Sequence, residues 1–412
     1  MSLVSTLLDE IGDRPYIGLG EASHGTAEFN ETRLEIARNL IETLGFNFVV
    51  VEWDWTDCFR VNEYVKGYSN AFSSAEEVLS KFSRWPQWMW GNQEVADFIE
   101  WLRDYNRQQS DVDKVGFYGF DLFGLQSALA EVESYLKGAS TAETLISSGY
   151  SECARNTRNN EQGLTPPCEK DLLSSKAPQI IKSLKNQLRL RRPPADAPLD
   201  IQEDYMNANM CVFVIEDNIK HQLAMIHDPN MSSWNIRENH MLKTFQRLLD
   251  FYREYVTAGN SEPKAIILSH NTHIGDTSYS DMPSNLSNLA QLLRKEYGDD
   301  VFLVGFMTYE GNVLAGADWG GPNKVMKIPP ADRNSWEYHY HQELGSDGLI
   351  LSSDPSDGRR NQNKNRLHRA IGAVYNPRDD RNSYAPVVLI GRYDAVIYFE
   401  FTNPTQPIMP TD

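Results

Sequence analysis

The chain has 412 residues, with 39 Lys+Arg against 57 Asp+Glu, a formal net charge of −18 and an isoelectric point near 5.0. Such an acidic chain is not expected to bind phosphate backbones or an anionic membrane surface by bulk electrostatics. No uncharged apolar run reaches the ~18 residues that a membrane helix needs, and the N-terminus lacks the basic segment of a signal peptide. We therefore predict a cytoplasmic protein that acts on a small molecule, with no nucleic-acid or membrane partner. The oligomeric state is left open.

The four cysteines, Cys58, Cys153, Cys168 and Cys211, are sparse and form no CxxC pair. This argues against a disulfide framework and against a cysteine-based zinc site. It is typical of a protein from a reducing compartment.

Strand-like apolar runs alternate with helical patterns along the chain. The predicted core strands are Tyr16–Leu19, Phe46–Val51, Val115–Phe120, Ala265–Leu268 and Val301–Phe306, with further runs at 348–351, 370–374 and 386–390. Helical patterns follow at about 27–44, 125–136 and 286–297. This alternation predicts an α/β fold with a mostly parallel central sheet flanked by helices.

The stretch 125–260 differs, because it shows helical spacing with no strand in between. Its helical runs are 180–190, 203–225 and 235–256, and loop-like segments lie at 156–167, 191–198 and, later, 354–365. We predict a large all-helical insertion, or lid, between the third and fourth core strands. The catalytic core is then 1–124 with 261–402, and the proline-containing residues 403–412 form a tail that leaves the fold.

Titratable side chains follow the carboxyl ends of four predicted strands. They are Glu21 and His24 after the first strand, Glu52 after the second, Asp121 after the third, and His270 and His273 after the fourth. In open parallel sheets, ligands bind outside these strand ends, so neighbouring strands would bring the groups into one cleft.

Each of these residues also has a structural interpretation. Glu21 or Asp121 could simply cap the next helix, whereas Glu52 directly follows a buried-type run, where a carboxylate is costly unless it is paired or used. Arg33, nine residues after His24, could be solvated or could pair with the carboxylates or with a substrate anion.

The tryptophans near these strand ends could line a binding site for a bulky, largely apolar ligand. The residues predicted to contact the substrate are Trp53, Trp85, Trp88, Asp121 and Asn271. For any single tryptophan, core packing is the alternative.

Common signatures of other enzyme classes are absent from the sequence. There is no GxSxG elbow, no Walker A motif and no GxGxxG after a strand, which argues against a Ser–His–Asp hydrolase and against phosphate binding. Ser23 and Ser269 stay open as nucleophiles.

Several segments carry a resemblance to a known family. They are GEASHGTAEFNETR at 20–33, VVVEWDW at 49–55, RWPQWMW at 84–90, GFDLFGL at 119–125, SHNTHIGD at 269–276, VGFMTYEGNVLAGADWG at 304–320, SWEYHYH at 335–341, RAIGAVYNP at 369–377 and YDAVIYFE at 393–400. With these motifs in order over nearly the whole chain, the sequence resembles the erythromycin esterase family.

The resemblance implies a hydrolase that opens a macrolide lactone with histidine-activated water rather than with a serine. It implies that His24 is the general base and that Glu21 lies beside it. The other family positions fall on Arg33, Glu52, His270 and His273. The chain departs from the family pattern at 382–386 and 394–400, where Ser383-Tyr384 and Ile397-Tyr398 stand in place of expected histidines.

The leading hypothesis is hydrolysis of an ester or lactone, macrolide-like or from another natural product, without a cofactor. A histidine can take a proton from water at neutral pH, and Glu21 or Glu52 would orient the imidazole of His24. His270, His273 or Arg33 would stabilise the oxyanion or protonate the leaving alcohol.

Three alternatives stay open. A divalent metal such as zinc or manganese could activate the water, with ligands drawn from Glu21, His24, Glu52, His270 and His273. The same cluster could instead act on carbon, as in a lyase, isomerase or cyclase. The chain could also be a non-catalytic binding module.

Overall fold

The structure is a computed structural model that describes residues 3–136, 177–227, 232–353 and 364–408. The predicted loop at 156–167, most of the predicted loop at 354–365, and two cysteines, Cys153 and Cys168, lie outside the described residues. The other two cysteines, Cys58 and Cys211, are buried free thiols.

The chain divides into two compact units. The first comprises Met1–Val50, Phe72–Tyr105 and Lys264–Asp412, and the second comprises Val51–Ala71 and Asn106–Pro263.

Regular strands and helices alternate through most of the described chain. The strands are β1 (Tyr16–Leu19), β2 (Phe48–Asp54), β3 (Gly116–Asp121), β4 (Ala265–Leu268), β5 (Val301–Gly316), β6 (Asn323–Ile328), β7 (Gly348–Leu351), β8 (Asn365–Arg369), β9 (Tyr384–Val388) and β10 (Ala395–Thr402). The longer helices are α1 (Leu3–Ile11), α2 (Ala27–Leu44), α3 (Trp55–Lys66), α4 (Gln93–Asn106), α5 (Leu125–Leu136), α6 (Ala177–Arg189), α7 (Leu199–His227), α8 (Ser232–Tyr255), α9 (Leu289–Tyr297) and α10 (Trp336–Glu343). Short helical turns lie at Ala75–Leu79, Asn271–Ile274 and Leu389–Arg392.

The sheet of the first unit runs in the order β2-β4-β1-β5-β10-β7, with β6 beside β5. Strand β1 is central and pairs in parallel with both neighbours, Tyr16 lying opposite Ala265 and Val301. Strand β10 is parallel to β5, whereas β7 and β6 are antiparallel additions. Every residue of β1 and β4 is buried, as expected for strands covered on both faces. The predicted α/β fold with a mostly parallel sheet is confirmed.

Helices dominate the second unit. The long helix α7 packs against α5, α6 and α8, while β3 packs against α3 and α8. The helical spacing read from the sequence is thus realised in α6, α7 and α8. This unit extends beyond the predicted insertion at 125–260, and the role of that insertion as a lid stays a prediction. No helix in the described ranges is long and apolar enough to cross a membrane.

Near the C-terminus one strand prediction was wrong and one strand was missed. The run 370–374 is not a strand, because the backbone pairing with β9 falls on the preceding polar segment Asn365–Arg369. Strand β10 was not predicted, although it pairs with β5 along most of its length.

Residues 403–408 do not leave the fold as predicted. The carbonyl of Asn403 accepts from the backbone N–H of Ala27 at 2.9 Å, and the N–H of Thr405 donates to Gly25 at 3.1 Å. The N–H of Ile408 donates to Gly91 at 2.9 Å. The first two bonds fix the segment against the turn after β1 and the start of α2, and the third fixes it beside Gly91. Residues 409–412 lie outside the described ranges.

Candidate active site

A carboxylate–imidazole pair follows β1 in the first unit. The Nδ1 atom of His24 donates to Oε1 of Glu21 at 2.8 Å. Glu21 is 1% exposed and the His24 side chain about 10% exposed. Because an ionised carboxylate can only accept, this bond fixes the proton of the neutral imidazole on Nδ1 and leaves Nε2 as a base.

Arg33, on the second turn of α2, holds the other oxygen of Glu21. Its Nη2 lies 2.6 Å from Oε2, and it also donates to Asn30 one helical turn earlier. Arg33 is 2% exposed, and its guanidinium lies over the ring of Trp90. Burial alone would raise the pKa of Glu21, but Arg33, His24 and His270 outweigh it and lower that pKa. Glu21 is therefore ionised at neutral pH.

Two glycines allow the Glu21–His24 turn to be this compact. A Cβ on Gly20 would overlap the side-chain oxygen of Asn271, and a Cβ on Gly25 would overlap the carbonyl oxygen of Leu314. Leu314 also donates its backbone N–H to Gly25 at 3.0 Å. Only a residue without a side chain fits at either position.

His270 follows β4, the neighbour of β1, and its ring centroid lies 4.9 Å from that of His24. Its Nδ1 accepts from the backbone N–H of Thr272 at 3.2 Å, and its Nε2 donates to the carbonyl of Ile371 at 3.2 Å. Both ring nitrogens are thus hydrogen bonded to protein groups. In this conformation the ring of His270 packs beside the ring of His24. Its two hydrogen bonds fix the tautomer of His270 itself.

Asn271 connects the turn after β4 to its neighbours. Its backbone N–H donates to the carbonyl of Glu21 at 2.8 Å, and its side-chain amide donates to the carbonyl of Phe306 in β5 at 2.7 Å. His273 lies on the same turn, 2% exposed, with its N–H donating to His270 at 2.9 Å. The strand-end rule therefore brings together Glu21, His24, His270, Asn271 and His273.

Glu52 and Asp121 lie in the second unit and both bind Arg237 of α8. Arg237 binds both oxygens of Asp121, at 3.0 and 2.8 Å, and reaches Oε1 of Glu52 at 2.9 Å. Its guanidinium also lies over the ring of Phe123. Nearby, burial and the charge of Arg237 lower the pKa of His221 to about 4. Arg237 thus bridges two buried carboxylates.

The three predicted substrate-contacting tryptophans are distributed between the units. In the second, Trp53 is 1% exposed and its indole N–H donates to Asp57 at 3.2 Å. In the first, Trp88 is 4% exposed, while Trp85 donates to the carbonyl of Gly321 at 2.9 Å and contacts Trp319 edge-on. Trp85 is the most exposed of the three, and their contact with substrate stays a prediction.

Glu21, one of the alternative metal ligands, already has a protein partner at each carboxylate oxygen. His24 contacts one oxygen at 2.8 Å and Arg33 the other at 2.6 Å. Throughout the described ranges, no group of three or more His, Cys, Asp or Glu side chains is arranged to hold a metal ion.

Sequence reasoning missed one partner of these groups and one further buried pair. Arg237 lies 116 residues beyond Asp121, inside a long helix where a cation is usually solvated. A second buried pair, Glu337 and His368, joins α10 to β8 at 2.7 Å. Neither residue follows a predicted strand, so the strand-end rule could not select it.

Comparison with known proteins gives a consistent result. A protein-family model described as Erythromycin esterase matches residues 41–402 of this chain. The erythromycin esterase type II of Escherichia coli is 23% identical over 319 residues, covering 74% of this chain and 71% of that protein. The resemblance noted in the sequence is confirmed. The matched range begins after α2 has started, so the assignment of Glu21, His24 and Arg33 rests on the geometry above.

Solved structures share the fold. A succinoglycan biosynthesis protein aligns with a TM-score of 0.71 and 21% identity, covering 98% of this chain and 92% of that one. A Bacillus cereus protein gives 0.75 and 18%, covering 99% and 94%. A histidine-to-asparagine mutant of the erythromycin esterase EreC, in its open conformation, gives 0.68 and 16%, covering 98% and 95%.

Proposed function

Because this chain belongs to the erythromycin esterase family and is therefore a carboxylic ester hydrolase, we propose that it cleaves an ester or lactone with water activated by His24. The substrate class is a macrolide-like or related natural product. The observation that carries this proposal is the buried Glu21–His24 pair, which presents Nε2 of His24 as a base. The acidic surface disfavours anionic substrates, so a neutral or cationic one is expected.

In this mechanism His24 removes a proton from water as the water oxygen attacks the acyl carbon. The developing imidazolium is stabilised by Glu21, which Arg33 keeps ionised and fixed. His24 then returns the proton to the alcohol that leaves when the C–O bond breaks. We assign stabilisation of the oxyanion to His273, on the turn after β4.

No metal takes part in this scheme, since Arg33 already provides the cation beside Glu21. Metal analysis of protein purified without a histidine tag tests this point. Less than a tenth of an equivalent of zinc or manganese, with activity that survives EDTA, supports it. A stoichiometric metal whose removal abolishes activity contradicts it.

The direct test is a mass-spectrometric screen of macrolides, simple lactones and esters with the wild type and His24→Ala. His341→Ala is a matched control, because His341 also pairs with a glutamate, Glu400, at 2.5 Å. The proposal predicts a product heavier by one water with the wild type and the control but not with His24→Ala. A product of unchanged mass would instead indicate an isomerase, and turnover by His24→Ala would contradict the role of its imidazole.

A further inference from the structure

A second buried carboxylate–imidazole pair lies in the first unit, outside the groups assigned above. Oε1 of Glu337 accepts from Nδ1 of His368 at 2.7 Å and from the backbone N–H of Arg369 at 2.8 Å. Glu337 is 0% and His368 3% exposed. Burial raises the pKa of Glu337, but His368 and Arg369 outweigh it and lower that pKa. Because the ionised carboxylate only accepts, the neutral form of His368 would carry its proton on Nδ1, with Nε2 as an acceptor.

The Nε2 atom of His368 faces the side chain of Asn271. It lies 3.3 Å from Nδ2 of Asn271 and 3.4 Å from the hydroxyl of Tyr393. The amide nitrogen of Asn271 has two hydrogens, and the other one goes to the carbonyl of Phe306 at 2.7 Å. Nε2 of His368 and the carbonyl of Phe306 therefore select the same orientation of the Asn271 amide. A flipped amide would point its oxygen at the lone pair of Nε2 and at the carbonyl oxygen of Phe306.

Asn271 in turn touches the catalytic pair through its main chain. Its N–H donates to the carbonyl of Glu21 at 2.8 Å, and it directly follows His270, whose ring packs beside that of His24. Its carbonyl accepts from Nη2 of Arg392 at 3.3 Å. The asparagine is thus held at its side chain and at both main-chain groups.

The chain beyond His368 reaches the same two turns. Three residues on, the carbonyl of Ile371 accepts from Nε2 of His270, and the N–H of Ile371 donates to the carbonyl of Ala22 at 2.6 Å. Residues 368–371 therefore contact both the turn after β1 and the turn after β4. A displacement of His368 would be transmitted to each of them.

From these contacts we propose that His368, held by Glu337, is a positioning residue for the hydrolysis: it orients Asn271 and thereby keeps Glu21 and His270 in register with His24. This inference rests on the proposed function. His368 acts on the Glu21–His24 pair through Asn271. Because that pair is assigned to proton transfer, we expect a change at His368 to affect turnover more than substrate affinity.

The first test needs no substrate. Long-range proton–nitrogen NMR of the nitrogen-15-labelled protein reports which ring nitrogen of each histidine is protonated, with signals assigned by single substitutions. We expect His368 protonated on Nδ1 and, in His368→Asn, clear shifts of the His24 and His270 signals. A His368 protonated on Nε2, or unchanged His24 and His270 signals in the variant, would overturn the proposal.

The second test is kinetic. His368→Asn keeps a donor toward Glu337 but removes the acceptor that faces Asn271, whereas His368→Gln can return an oxygen to that position. We expect His368→Asn to lower kcat by about 10- to 100-fold with KM changed less than about threefold, and His368→Gln to recover most of the loss. The control is His341→Asn, which should keep wild-type kcat.

Glu337→Gln provides an independent variant should His368→Asn fold poorly. Its amide oxygen can still accept from Nδ1 of His368 and from the backbone N–H of Arg369, so we expect the proton to stay on Nδ1 and Nε2 to keep facing Asn271. We therefore expect kcat within about tenfold of the wild type. His368 protonated on Nε2 in this variant with kcat unchanged, or equal kcat losses in the asparagine and glutamine variants of His368, would overturn the proposal. If the wild type hydrolyses no ester, the proposed function fails, and the NMR outcome still decides the positioning of the histidines.

Discussion

Substitution of Glu21 by glutamine separates the structural and catalytic roles of the pair it forms. The change keeps the shape of the side chain and removes its charge. Arg33, 2% exposed and 2.6 Å from the carboxylate, then loses its ion-pair partner in a site from which water is excluded. His24 loses the anion that stabilises its protonated form.

The expected loss of stability follows from the burial of both partners. Removing one member of a buried ion pair costs about 3–5 kcal/mol, a large part of the roughly 5–15 kcal/mol by which a protein is usually stable. For activity, loss of the carboxylate from a hydrolytic histidine pair lowers kcat by about 10,000-fold in the serine-protease case. Because glutamine still offers an acceptor to Nδ1, we expect about 100- to 10,000-fold for Glu21→Gln.

Urea unfolding and single-substrate kinetics measure the two effects. In Glu21→Gln/Arg33→Met the unpaired cation is also removed, so we expect part of the stability to return while activity does not. A Glu21→Gln protein as stable as the wild type would refute the assignment of a buried ion pair. Recovery of activity in the double variant would refute the catalytic role of Glu21.

The pH dependence of stability gives a further check on Glu21. Its pKa in the folded protein is lower than the ordinary value of 4.5 for a glutamate. Its ionised form therefore stabilises the fold fully above about pH 4.5, and that contribution is lost as the pH falls through the folded pKa. In Glu21→Gln this part of the acid-side loss should be absent, as followed by urea unfolding at pH 3–6.

Three other outcomes are expected. Arg237→Met should destabilise the protein by about 3–5 kcal/mol in urea unfolding, because its two carboxylate partners stay buried without this cation; a change below about 1 kcal/mol would contradict the cluster. Gly25→Ala should lower both stability and activity, since the new methyl group overlaps a backbone carbonyl, whereas Gly372→Ala, which meets nothing within 4 Å, should stay within about 0.5 kcal/mol of the wild type. His221, with a pKa lowered from 6.5 to about 4, stabilises the folded state fully above about pH 6.5 and loses that contribution, at most about 3 kcal/mol, as the pH falls toward 4; His221→Asn should flatten this part of the pH profile, and an unchanged profile would contradict the shift.

Local sequence patterns predicted the parts of the fold that depend on local physics. Strands β1 and β4 are continuous apolar runs buried on both faces, and their predicted limits match the structure. Helix α2 ends as expected because Gly45 adopts the left-handed conformation that closes a helix. A strand was predicted at 370–374, whereas the structure has β8 at Asn365–Arg369, one segment earlier. The polar residues of β8 are stabilised by pairing with β9 and by the burial of His368, which no local pattern reveals.

For the candidate site, the residues that follow predicted strands were predictable, whereas their partners on distant helices were not. The carboxyl ends of neighbouring parallel strands brought Glu21, His24 and His270 together, as the topology requires. The partners Arg237 and Glu337 come from helices elsewhere in the sequence, where the spacing of polar residues does not distinguish them from ordinary surface charges. Their contribution depends on tertiary packing, which a single sequence does not encode in any short motif.

The central claim is that water activated by His24 attacks the acyl carbon directly. A single-turnover reaction in water labelled with oxygen-18, followed by mass spectrometry of both product and protein, tests it most directly. The account predicts one oxygen-18 in the product carboxylate, an unmodified protein throughout the reaction, and no product with His24→Asn. A covalent acyl group on the protein, or turnover by His24→Asn within about threefold of the wild type, would contradict it.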